Sequence, residues 1–236
     1  EMTEEIMTNF MSNSIFFGAA LSLIAYEVGL LLKRKFKMAI FNPLLISIIA
    51  VIAVLCLLHI DYDTYNQSGQ YISYLLTPAT VCLAVPLYQQ MELLKKNLKA
   101  VVIGIVSGVL ASLVSVLILA KLFRLSHEQY VTLLPKSITT AIGMGVSEEL
   151  GGIVTITVAV IIITGVLGNM VAETVIKLAH IEEPIAKGLA LGTSSHAIGT
   201  AKAMELGEIE GAMSSLAIAV AGLLTVVGAS VFAQFM

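Results

Sequence analysis

The chain has 236 residues, of which 58% are hydrophobic and only 12% charged, with a net charge of −3 at pH 7. An ordinary soluble domain carries about a quarter charged residues, so this balance belongs in lipid and makes membrane lipid the first partner. The sequence lacks the basic stripe that nucleic-acid binding needs, which excludes that partner class. Cys56 and Cys82 lie in apolar segments without CxxC spacing, so no metal site and no disulfide framework is expected, and both read as packing residues.

Taken in order, the acidic stretch Glu1 to Glu5 has no positive leader and no small-residue cleavage site follows the first apolar segment, so Ser14 to Leu32 is expected to stay in the membrane. Runs free of charge then occupy Asn42 to Ile60, Ala100 to Ala120, Leu150 to Ala172 and Gly211 to Met236. Each approaches or exceeds the roughly 20 residues a helix needs to cross a bilayer, which predicts four spans.

Three further apolar segments are interrupted. Tyr71 to Gln90 contains Pro78 and Pro86, Glu128 to Val146 contains Pro135 and Lys136, and Ile185 to Ala203 contains Gly192-Thr193-Ser194-Ser195-His196 with Gly199 behind it. Proline removes a backbone donor and clashes with the preceding turn, and glycine relaxes a helix, so these segments predict broken or re-entrant helices. The fold class expected is an all-α membrane protein with about 7–8 transmembrane segments.

Sliding the chain so that Thr80 falls on Thr193 superimposes the apolar segments of 14–123 on those of 127–236, and Met91-Glu92-Leu93 then falls on Met204-Glu205-Leu206. The charged loops change sign between these repeat halves. Lys33, Arg34, Lys35 and Lys37 correspond to Glu148 and Glu149, and Lys95, Lys96 and Lys99 to the region of Glu205, Glu208 and Glu210. Positive loops stay in the cytoplasm, so the pattern predicts an inverted repeat with a substrate site where the broken helices meet. Seven crossings plus one re-entrant helix satisfy it, and eight crossings with parallel repeats are the alternative.

Polar groups concentrate where lipid would exclude them. Thr77, Pro78 and Thr80 form one break, and Gly192, Thr193, Ser194, Ser195 and His196 form its counterpart. A helix broken inside the membrane exposes unpaired N–H groups, and hydroxyls around such an end suit a carboxylate or phosphate, so the expected partner is a small anionic solute. Their structural alternative is hydrogen bonding between neighbouring helices. In the third segment Lys136, with Ser137, Thr139 and Thr140 beside it, is a candidate counter-charge, because a mid-membrane lysine costs roughly 2.5–3.5 kcal/mol unless it snorkels, pairs or meets an anion. His196 is the one histidine away from a segment end and is a candidate for proton coupling. No HExxH, CxxC, Walker A or GxSxG motif occurs. Ser194 or Ser195 with an adjacent His196 would point about 100° apart on a helix, so no enzyme, cofactor or metal is expected.

Leu134 to Ile142 followed by Glu149 to Gly152, Ile185 to Ala201, and Thr77 to Tyr88 resemble the LrgB/CidB family of bacterial membrane proteins over nearly the whole chain. Ser137 to Thr140 and Ser147 to Gly152 look closer to the CidB-like branch. The resemblance implies a multi-pass protein of the bacterial plasma membrane, and two functional stories. Members are described as antiholin-like or holin-like proteins that modulate murein hydrolase export, autolysis and cell death with a smaller LrgA/CidA partner. Relatives are associated with transport of small monocarboxylates: pyruvate in bacteria, and glycolate with glycerate in plastids, where the two partners are fused. The hydroxyl-rich breaks make a monocarboxylate carrier the leading expectation and the holin-like regulator its alternative, with a homodimer as the expected assembly.

Overall fold

The computed structural model describes residue 14 and residues 16–36, 41–82 and 84–236, so the Glu1 to Glu5 stretch and Lys37 lie outside the described residues. Every regular element among the described residues is helical. The chain divides into two compact units, Glu1–Cys82 and Leu83–Met236.

In the N-terminal unit, α1 (Phe17–Phe36) ends on Lys33, Arg34 and Lys35, whose charges complement the negative end of the helix dipole. The next helix, α2 (Pro43–Leu57), starts where Asn42 accepts the Leu44 and Leu45 amides at 2.9 and 3.3 Å and Pro43 takes the first helical position, which needs no N–H. Helices α1 and α2 meet at Gly29, where an added Cβ would lie 2.8 Å from Pro43 Cα. Helix α3 (Tyr62–Ser73) docks on α1 at its other end. Gly18 donates its amide to Ser68 Oγ at 2.6 Å, and the Ser22 and Tyr65 hydroxyls lie 2.7 Å apart.

The first interrupted segment breaks just ahead of its prolines. Tyr74 and Leu75 turn out of α3, and α4 (Leu76–Cys82) carries Pro78 in its first turn. Pro86 holds the same place in α5 (Ala84–Gln89), the first helix of the C-terminal unit. A first-turn amide has no intrahelical acceptor, so proline is tolerated there and marks the restart of a helix. Cys56 and Cys82, expected as packing residues, are free and exposed.

The C-terminal unit continues through α6 (Met91–Lys96) into α7 (Leu98–Leu122), then α8 (His127–Leu133), α9 (Thr140–Glu149), α10 (Val154–Leu178), α11 (Pro184–Leu206) and α12 (Glu208–Phe232). Helix α7 buries Val101, Ile105, Val109, Leu113, Val116 and Ala120, one stripe at three- and four-residue spacing, against Leu134, Ile138, Leu189, Met213 and Ala217. Its opposite face leaves Ile103, Leu110 and Ile118 exposed, as a lipid-facing helix does. A serine capping box opens α8, with Ser126 and Gln129 exchanging backbone and side-chain bonds of 3.2 and 3.0 Å.

By length and composition, the helices Leu98–Leu122, Val154–Leu178 and Glu208–Phe235 can cross a membrane, and so can the interrupted stretch Tyr62–Gln89, which runs over a residue outside the described ones. Three of them overlap expected spans. The fourth expected span is the 15-residue α2, which at ~1.5 Å per residue is about 22 Å long, short of the ~30 Å hydrocarbon layer. The unit boundary at Cys82 is also not the expected junction of the repeat halves. Although α7 lies in the first half by sequence, it packs against α11 and α12 of the second.

Candidate functional site

Proline 135 creates the first part of the site. Pro135 has no N–H to continue the helical ladder, so α8 stops at Leu133, with Leu134 still at helical angles (φ −53°, ψ −46°), and residues 134–138 form a turn held by Lys136 N–H to Leu133 O at 3.2 Å and Ile138 N–H to Pro135 O at 3.3 Å. Beneath it, Thr132 Oγ1 accepts the Ile153 amide at 2.8 Å, while Thr157 Oγ1 lies 2.9 Å from the Thr132 carbonyl and 2.7 Å from Ser147 Oγ. These buried hydroxyls tie the turn to α9 and α10.

Fixed in this way, the turn delivers Lys136 and Ser137 to a groove of about 910 Å³, whose other walls come from α7 and the first half of α11. Lys136 Nζ donates to Ser137 Oγ at 3.0 Å, and Ser137 Oγ lies 3.0 Å from Ser112 Oγ on α7. Among the described residues no carboxylate lies within ion-pair distance of Lys136. An ammonium has three N–H donors, so two remain for a ligand. Thr193 and Ser194 line the same groove from α11. Thr193 spends its proton on the Leu189 carbonyl at 2.8 Å and packs on Gly108, where an added Cβ would lie 2.7 Å from its Oγ1.

The break in α11 falls at Ser195 (φ −133°, ψ 16°) and His196 (φ 42°, ψ −135°), inside the hydroxyl run as expected. Its side chains turn away from the groove. The buried His196 ring uses Nε2–H to donate to the Ile161 carbonyl of α10 at 2.9 Å and sits on Gly165, where an added Cβ would lie 2.7 Å from that nitrogen. Asn169, one turn further along α10, donates from Nδ2 to the Ile198 carbonyl at 3.0 Å. Thr200 Oγ1 lies 2.7 Å from Ser214 Oγ of α12, and Gly192 packs on α12 beside Ala217. The break is therefore clamped between α10 and α12.

The expected residues thus divide. Lys136, Ser137, Thr193 and Ser194 come together at the groove, whereas Gly192, Ser195, His196, Thr139 and Thr140 are not among its lining residues, Thr139 serving as the N-cap residue of α9. Thr77 and Pro78 belong to the N-terminal unit and are exposed, and the side chain of Thr80 lies outside the described atoms. Sequence reasoning missed Ser112, Gly108 and Asn169. Their signal was present as polar and small residues recurring in otherwise apolar spans, but those spans read as scaffold.

The family model described as LrgB-like matches residues 22–235. An antiholin-like protein LrgB of Bacillus mycoides (strain KBAB4) is 40% identical over 221 residues, covering 93% of this chain and 96% of the relative. Proteins of the same name from Bacillus cereus (strain B4264) and Bacillus anthracis (strain CDC 684 / NRRL 3495) are 39% identical with the same coverage. All three carry the LrgB name, not the CidB name of the branch that Ser137 to Thr140 resembles. No solved structure matches the chain.

Proposed function

The chain belongs to the LrgB-like family, as a multi-pass bacterial membrane protein, and from that premise we propose that it carries a small monocarboxylate through the groove between α7 and α11. Lys136 carries this reading. It is a part-buried ammonium with no carboxylate within ion-pair distance among the described residues, the groove's acid being Glu183 at the start of α11, and it is hydrogen-bonded through Ser137 to a serine of a spanning helix. Placing a bare cation there is unfavourable unless an anion shares the site part of the time. A carboxylate fits: Lys136 supplies the charge and donors, and Ser112 and Ser194 supply adaptable hydroxyls. Inverted halves, if they rock about such a site, give alternating access.

Antiholin-like regulation is the second reading, and the comparisons favour it, since the relatives are named for that role and none for a transported solute. On this reading the chain works with a smaller LrgA-like partner, and the groove serves assembly.

Uptake into proteoliposomes separates the two. A carrier gives saturable uptake of pyruvate or glycolate, reduced at least about tenfold by Lys136→Met, the equivalent of ~1.4 kcal/mol of lost charge-assisted bonding. Thr193→Val has a smaller effect, because its proton is already committed to Leu189. Unsaturable dye leakage that depends on an LrgA-like partner supports the regulator instead.

A further inference from the structure

A second cavity, of about 420 Å³, lies on the far side of the first turns of α11, where the end of α10, the 179–183 loop and the start of α12 converge. Its floor is Glu210. This is the one Asp, Glu, Lys or Arg that is buried among the described residues, at 8% exposure, and its carboxylate, which no hydrogen bond or ion pair among them reaches, opens onto the cavity. Two glycines make the position available. Gly188 of α11 lies against the Glu210 main chain, and Gly207 leaves room for the carboxylate, since a Cβ there would lie 3.2 Å from Glu210 Cδ.

The walls carry both signs of charge. Glu182 adds a second acid, and Lys177, His180 and Lys187 stand on the basic side. Glu173 is already neutralised, with Lys202 Nζ at 2.6 Å and Lys177 Nζ at 3.7 Å, so Lys187 and His180 are the basic groups left to a ligand. Among the described residues no three acidic, histidine or cysteine side chains are grouped to hold a metal ion, and an organic cation is the match for Glu210, whose charge the first turn of α12 also favours. A carboxylate is best satisfied by N–H donors, and the lining has no aromatic cage of the kind that quaternary ammonium groups use.

We propose that this cavity binds a primary ammonium joined by a short linker to a phosphate, with the ammonium on Glu210 and Glu182 and the phosphate on Lys187 and His180. Phosphoethanolamine has this chemistry, and it is available from a lipid headgroup or from a soluble ester. A cavity of this size suits such a small ligand. The inference does not depend on what the groove carries.

Native mass spectrometry of the full chain in detergent tests it, with phosphatidylethanolamine, phosphatidylcholine and glycerophosphoethanolamine added in turn. Phosphatidylethanolamine is expected to be retained on the order of tenfold better than phosphatidylcholine, and Glu210→Gln to reduce retention to the phosphatidylcholine level. Saturable binding of glycerophosphoethanolamine with equal affinity identifies the soluble ester as the source, and its failure to bind beside retained phosphatidylethanolamine identifies the lipid. Equal retention of both lipids without glycerophosphoethanolamine binding overturns the proposal, as does a folded Glu210→Gln protein that keeps the preference. If Glu210→Gln does not fold, Lys187→Gln replaces it: loss of the preference supports the site, and retention overturns it.

Discussion

Lys136 and His196 each stand at a break in a helix, with opposite bonding. Lys136 spends one donor on Ser137 and faces a groove, while His196 is buried with its ring fixed on the Ile161 carbonyl. The imidazole thus serves the fold in this conformation, and its backbone shows the same demand. A φ of 42° with ψ of −135° is a conformation that costs a non-glycine residue about 1–3 kcal/mol. His196→Gly and His196→Ala both lose the ring and its bond, but only the first relieves the backbone. The glycine variant is therefore expected to be more stable than the alanine variant by about 1 kcal/mol or more, read as the difference between denaturation midpoints in detergent. Equal midpoints would show that the backbone is not held in this conformation.

At the scale of elements, Gly145 of α9 and Gly192 of α11 behave oppositely. An added Cβ on Gly192 would lie 2.7 Å from the Ala217 Cβ of α12, whereas nothing lies within 4 Å of one on Gly145 in α9. Gly192→Ala is expected to destabilise by about 1–3 kcal/mol through overpacking, and Gly145→Ala to be neutral or to stabilise by up to about 1 kcal/mol through helix propensity. A thermal-shift comparison of the two checks both signs. The breaks themselves were readable, because Pro135, Pro78 and the Gly192 to His196 run are local signals with local consequences. Which way each hydroxyl points was not. The orientation of Ser195 and His196 depends on Gly165, Gly168 and Asn169, which sit a helix away and carry no mark linking them to the break. Ser112 was missed for a related reason, being a lone polar residue within a strongly apolar helix.

For the whole molecule, the repeat remains the boldest reading. Helices α7 and α12 are both 25 residues long, and each follows a Met-Glu-Leu tripeptide within a few residues, as two copies of one unit would. Contacts do not divide the chain at the repeat junction, but interleaved halves would not be expected to separate that way. Opposite insertion has a direct test in cysteines placed at Lys95, Glu149 and Glu205 on a background without Cys56 and Cys82. Impermeant reagents are expected to label the last two from one side of the membrane and the first from the other. Finding all three on one side ends the inverted arrangement and leaves parallel repeats.

The close approach of α11 to α12 at Gly188 and Gly192 also limits how this protein can move. Main chains in such contact cannot slip past one another by a helical turn without forcing side chains through backbone, so the two helices travel as a single strut. Any opening of the groove then falls to the joint between that strut and α7. A covalent tether across α11 and α12 would leave such a machine running, and the same tether from α7 to α11 would jam it.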